Sequence, residues 1–408
     1  MSAIELSADE EVETGASRLG LYLAFLQLVF TLLWTTYVIF LPKLAAGVGI
    51  RPSSVIFILM VDQAIFTVTD TAMGIAADRI ARLTKWLGPL IGLLTALSCA
   101  AFVALPFVAA TGMPAVFIAL IVTWAITSSA LRAPPLILLG QHAAKPRVPF
   151  LAALVMLGYG VAGALAPYLG VVLRDYDARL PFIISSAVLL LTALGLSRVA
   201  DLGQGAKQVQ AAVKPVRLNG LPMLFIAAMV ILALGYQLHF SINSEAFYLR
   251  FAKPADLQWL MPVFWIGFNI AMFPASVIVK HRGAVVVMGI AGLLGAAAIV
   301  IAEIAGALNV LIVAQFIAGA AWGCMMMSAI SAALWIGMRG AEGKVTGLVF
   351  SALALATFAR MAAVAGGLQK LPDYAPLVRW APVACWLVAG TGLLVIAAAR
   401  MQGRRSEL

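Results

Sequence analysis

Residues 284–304 read Ala284-Val-Val-Val-Met288-Gly-Ile-Ala-Gly-Leu-Leu-Gly295-Ala-Ala-Ala-Ile-Val-Ile-Ala-Glu303-Ile304. One carboxylate, near the end, is the only charge in the run. About 20 such residues, wound as a helix, cross the roughly 30 Å hydrocarbon layer of a bilayer. Lipid offers the backbone no hydrogen-bond partner, and a helix satisfies its own. The alternating pattern of a membrane β-barrel strand is absent.

Working outward, breaks at Gly, Pro and charge clusters divide the rest of the chain into eleven further apolar runs. The twelve lie near 19–44, 53–77, 87–109, 114–139, 148–173, 180–199, 219–248, 259–279, 284–304, 310–337, 345–367 and 378–399. The whole chain agrees: it is 63% hydrophobic and 11% charged, where a soluble domain has about 45–50% apolar and about 25% charged residues. The expected fold class is therefore all-α integral membrane, with twelve transmembrane helices in two six-helix bundles. The parts are a tail (1–18), a first bundle (19–200), a linker (201–218), a second bundle (219–400) and a closing tail (401–408). The first tail carries Glu5, Asp9, Glu10, Glu11 and Glu13 and is expected to be disordered.

The net charge of +10 reads as loop charge that orients the chain, not as a nucleic-acid surface. If the N-terminus is cytoplasmic, 17 of the 27 Lys and Arg fall on the cytoplasmic side and 8 on the other. Arg132 and Arg360 lie within spans. The excess places both termini in the cytoplasm, in what is expected to be a bacterial inner membrane. Cys99, Cys324 and Cys385 sit in apolar runs with no metal-ligand or disulfide spacing.

The halves echo each other. Asp70-Thr-Ala-Met on span two matches Asn269-Ile-Ala-Met on span eight, 199 residues later. Trp124 on span four matches Trp322 on span ten, 198 residues later. Repeated halves around a midplane site are a common construction of secondary transporters.

With six plus six spans and a central basic loop, the chain resembles the major facilitator superfamily. One local motif adds to the likeness. Gly74-Ile-Ala-Ala-Asp78-Arg79-Ile-Ala-Arg82 is similar to the family's loop after span two, with Ala81 and Leu83 departing from the pattern. The resemblance implies that Gly74, Asp78, Arg79 and Arg82 form a cytoplasmic gate, with Asp78 facing the N-terminus of span eleven. Asp78 ends a helix whose dipole disfavours an anion there, so it needs an outside partner. More narrowly, Thr69-Asp70-Thr-Ala-Met-Gly74 is similar to span two of the melibiose-permease type of sugar–cation symporter. Phe66 stands where that branch has a second carboxylate, and Thr71 where it has proline. Span five, with Gly158, Gly160, Gly163, Pro167 and Gly170, resembles the antiporter motif, Ala166 replacing its glycine.

Ionisable groups inside spans are functional candidates by default. At 1.5 Å rise per residue, Asp62 and Arg360 lie at one depth and Asp70 and Arg132 at another. The expectation is two ion pairs, Asp62–Arg360 and Asp70–Arg132, that break and re-form as a proton is carried. Pro134 and Pro135 should bend span four beside Arg132. In the family, spans one, four, seven and ten line the cavity. That implies a solute site at Trp34, Tyr37, Trp124, Tyr236, Gln237, His239 and Trp322, suited to an amphipathic organic solute. Glu303 reads as a surface residue, and Trp86, Trp259, Trp380 and Trp386 as interfacial anchors.

No phosphate loop for ATP is present: Gly340-Ala-Glu-Gly343-Lys344 lacks the spacing and the hydroxyl. No nucleophile–base arrangement suggests an enzyme, and no cofactor or metal is expected. The leading expectation is a monomeric, proton-coupled symporter of a small organic solute in the lipid bilayer, with sodium as the other possible ion. The alternatives are an efflux antiporter for amphipathic compounds and a non-transporting sensor or assembly factor.

Overall fold

The computed structural model of the chain describes residues 3–83, 87–142, 145–201, 220–338 and 340–406. Among them there is no strand, and 12 helices are long and apolar enough to cross a membrane. Numbered as spans one to twelve, they are Gly15–Gly47, Pro52–Ile80, Pro89–Ala109, Pro114–Gly140, Val148–Val172, Arg179–Leu196, Leu221–Tyr248, Pro254–Arg282, Ala284–Ile304, Leu308–Gly337, Glu342–Ala365 and Ala375–Ala399. Each lies within a few residues of its expected place.

Local chemistry explains the boundaries. Pro114, Pro149, Pro222 and Pro262 each sit in the first two positions of a helix, where the missing N–H would have had no partner. Spans eight and nine are joined by Gly283 alone, at φ 87°, a left-handed turn that glycine adopts without a steric penalty. Span four is broken as its prolines require. The α-helix ends at Ser128, a 3-10 turn covers Ser129–Leu131, and a second α-helix starts at Pro134.

One expectation about the ends is corrected. The first helix begins at Ala3, so the described part of the first tail is helical and not disordered; the last helix runs to Ser406. Glutamate is a good helix former, and acids favour a helix N-terminus. Most of the linker expected at 201–218 lies outside the described residues.

In the first half, span one packs on spans five and six, and span three on spans four and six. In the second, span nine packs on ten and twelve, eight on ten, and seven on eleven and twelve. The halves meet mainly where span two lies on span eleven and span five on span eight. Large apolar side chains such as Val68, Leu191, Ile304 and Val388 cover the outer surface, as a bundle solvated by lipid requires.

Candidate functional site

A cavity of about 400 Å³ lies between the halves. Span one contributes Gln27, Phe30, Thr31, Trp34 and Val38, a stripe at helical spacing. Span two gives Leu59, Gln63 and Phe66, span four Arg132, span five Met156 and Tyr159, and span ten Met326. Span seven gives Tyr236, Gln237 and Ser241. Span eleven gives Phe350, Leu353, Thr357, Arg360 and Met361.

The two flat walls are built alike. Trp34 stacks on Trp124, with ring centres 5.4 Å apart and planes 15° apart. Tyr236 stacks on Trp322 at 4.5 Å and 4°. In each half the ring from the first span of the repeat faces the cavity, and the fully buried tryptophan of the fourth span backs it. Trp34, Tyr236 and Gln237 thus line the cavity as expected. Tyr37, Trp124, Trp322 and His239 do not; these four stand behind the wall.

His239 faces away by helical geometry: it lies two residues, about 200° of rotation, beyond Gln237, which faces the cavity. A π-helical turn, His239–Asn243, begins at it. His239 is fully buried, with Nε2 3.0 Å from Gln315 Oε1 on span ten. Gln315 Nε2 also donates to Ser244 Oγ at 3.1 Å. Gln237, one turn before Ser241, stays in the cavity and donates to Thr357 Oγ1 at 2.8 Å.

The intramembrane charges divide into one pair and two separate groups. Arg132 Nη1 lies 2.8 Å from Asp70 Oδ2. That approach is off the N–H axis, since neither atom has an aligned hydrogen bond, so the contact is one of charge. Asp70 is completely buried, while Arg132 keeps 17% of its side chain exposed and lies over the Phe66 and Phe350 rings at 4.8 and 5.4 Å. Phe66, at the place of the sugar–cation branch's second carboxylate, therefore supports a guanidinium.

The expected Asp62–Arg360 pair is not formed. Asp62 is fully buried and accepts a hydrogen bond from Tyr37 Oη at 2.8 Å; its Oδ1 has no partner. Arg360 faces the cavity, and among the described residues no carboxylate pairs with it. Equal depth fixes height along two helices but not the direction in which each side chain points.

At one end of the interface, spans two and eleven are sealed together. Asp78 Oδ1 accepts the N–H of Gly343 and Oδ2 that of Lys344, each at 2.7 Å. These N–H groups open span eleven, so the anion meets the positive end of a helix dipole. A Cβ on Gly74 would collide with the Gly343 carbonyl, so the backbones can approach this closely only at glycine. Thr71 and Ser351 join the same spans at 2.7 Å. Arg79 is exposed; the side chain of Arg82 lies outside the described residues.

Further corrections concern the opposite end. Glu303 is buried and ion-paired with Arg379, not a surface residue. Trp386 is fully buried and donates to the Leu232 carbonyl at 2.9 Å. Trp259 and Trp380 are exposed, and the Trp86 side chain lies outside the described residues. Sequence reasoning missed Gln27, Gln63, Tyr159, Phe350 and Thr357. The spacing of Gln27, Thr31, Trp34 and Val38 on one helix face was the available signal.

The Major Facilitator Superfamily family model matches residues 23–361. The chain belongs to that superfamily. Three solved structures of similar fold illustrate it. The human organic anion transporter MFSD10 (TETRAN) is 16% identical, covers 92% of this chain and 99% of its own, and has a TM-score of 0.70. The E. coli fucose:proton symporter FucP is 13% identical over 92% of this chain and 97% of its own, with a TM-score of 0.67. A bacterial homologue of the iron transporter ferroportin, in an outward-facing state, is 12% identical over 93% and 99%, with a TM-score of 0.72. No curated protein sequence matches the chain. As a member of the superfamily it is a transporter by family and not an enzyme, and at these identities the solved structures speak for the fold alone.

Proposed function

We propose that this protein moves a small organic solute across a membrane by alternating access, as a proton-coupled symporter. The observation that supports this most is the cavity between the halves, with its aromatic walls and few polar groups. Spans two and eleven close it at the Asp78 end, and we infer that solute enters from the other side. On the loop-charge argument the closed side is the cytoplasm, the termini lie there, and the membrane is a bacterial inner membrane. A monomer holds the whole site, and no ATP is needed.

Asp62 is the better candidate for proton carriage. A carboxylate buried without a counter-cation is costly, and a proton neutralises it. Asp70 already has Arg132, and this pair lies just on the cavity side of the gate. We assign it the second role: it holds span four to span two while the gate is shut, and exchanges partners when the gate opens. The likeness to sugar–cation symporters is confined to span two. With Phe66 under Arg132 and Asp70 already paired, we favour the proton over sodium. Three methionines, Met156, Met326 and Met361, line the cavity and favour a second reading, efflux of amphipathic compounds, because such side chains adapt to varied shapes.

Solute counterflow in proteoliposomes tests the transport reading. Exchange of a labelled solute against the same unlabelled solute, above protein-free vesicles, is the expected outcome. Absence of exchange across sugars, organic acids, amino acids and cationic drugs would favour a non-transporting sensor.

A further inference from the structure

The cavity carries two guanidinium groups and no carboxylate. Among its twenty lining residues the only charged side chains are Arg132 and Arg360. Arg132 is balanced by Asp70 from behind the wall. Arg360 has no such balance. Asp62, at its depth, is committed to Tyr37, and the Arg360 Nε is buried without a hydrogen-bond partner. A cation held in a membrane span without a partner is costly unless a ligand or water meets it.

The surroundings of Arg360 favour a ligand. Thr357 lies three residues earlier on the same helix face and holds Gln237 by its side-chain nitrogen at 2.8 Å. The amide of Gln237 is thereby fixed, and its second N–H remains available as a donor. The flat ring of Tyr236, braced by Trp322, lies beside them, and Trp34 faces from the other half. A guanidinium presents its donors in a planar fork that matches a carboxylate in two-point contact. The rest of the wall is aromatic rings and methionines, which suit an apolar body. A cavity of about 400 Å³ is at the small end of the roughly 300–1,000 Å³ range of ligand sites.

We propose that the solute is an organic anion, a carboxylate with an aromatic or alkyl body, whose charged group seats on Arg360 beside Gln237 and whose body lies between Trp34 and Tyr236. The same charge arrangement disfavours amines and metal cations. This rests on the reading of the cavity as the solute site.

The test is isothermal titration of the purified full-length protein in detergent at fixed pH. The probes are phenylacetate, indole-3-acetate and hexanoate, each with its neutral amide, and phenethylammonium as the cation. At least one acid is expected to bind ten-fold or more tightly than its amide, with no binding of the cation. Arg360→Gln should weaken that acid at least ten-fold. Arg360→Lys, which keeps the charge but loses the fork, should weaken it less. Equal binding of acid and amide overturns the proposal without any variant. So does undiminished acid binding in Arg360→Gln, or failure of all three acids to bind. Counterflow separates this from the transport reading. Acid binding that depends on Arg360 without exchange keeps the anion site and removes transport. Exchange of a neutral or cationic solute with no acid binding keeps transport and removes the anion site.

Discussion

The Tyr37 hydroxyl donates to Asp62 Oδ2 at 2.8 Å, and this bond, not an arginine, is what a fully buried carboxyl in span two has to meet it. It ties span one to span two behind the stacked Trp34 and Trp124. It also leaves Arg360 to the cavity. Removing the hydroxyl in Tyr37→Phe takes away Asp62's one hydrogen bond among the described residues. Unsatisfied buried groups cost about 1–3 kcal/mol. The melting temperature in detergent should fall in Tyr37→Phe and recover part of the loss in Tyr37→Phe/Asp62→Asn. A Tyr37→Phe variant as stable as the wild type would show that the bond contributes nothing.

The Asp70–Arg132 contact makes a different demand. Breaking a fully buried ion pair costs roughly 3–5 kcal/mol; Arg132 is partly exposed, so the loss in Asp70→Asn should be smaller. Arg132→Gln alone leaves a carboxylate completely buried and should be the more damaging change. The double variant should be less damaged than the sum of the two, by about 1 kcal/mol or more, as expected for residues in contact. Additive losses in thermal unfolding would mean that the pair acts as two independent groups.

At the closed end, Asp78 holds the first N–H groups of span eleven with a full charge, and such bonds are roughly twice as strong as neutral ones. Asp78→Asn should loosen the seal, and Gly74→Ala should pry it apart through the Gly343 carbonyl. Labelling of a Thr71→Cys reporter by a maleimide, in a background without Cys99, Cys324 and Cys385, should speed up several-fold in both. Unchanged labelling in both variants would contradict a gate at this position.

His239 gives a negative prediction. It faces Gln315, away from the cavity, so His239→Gln should lower thermal stability while leaving solute affinity and the pH dependence of transport within about two-fold of wild type. A lost pH dependence would return the histidine to the coupling machinery.

The spans were legible because apolar length is a one-dimensional property, and Pro and Gly mark their ends. Depth was legible too: Asp70 and Arg132 meet, as their heights suggest. Azimuth was not. Asp62 and Arg360 share a height but point apart, and only the packing of Tyr37 against span two decides where Asp62 turns. Nearness in sequence puts Gln237 and His239 in one site, yet residues two apart on a helix lie about 200° apart around it, and His239 faces Gln315 instead. Trp386 reads as an anchor by position along the chain and proves to be core, because span twelve lies against spans seven and nine.

Coupling through Asp62 is tested most directly by accumulation of a labelled solute in proteoliposomes under an imposed pH gradient, sodium-free, with protein-free vesicles subtracted. An organic anion that crosses lipid slowly, such as an aryl sulfonate, keeps passive leak small. Wild-type protein should concentrate the solute above its external level, a protonophore should abolish this, and Asp62→Asn should lose the accumulation while retaining counterflow. Accumulation that persists after the proton gradient is collapsed, or that is the same in Asp62→Asn as in wild type, would contradict proton coupling at Asp62.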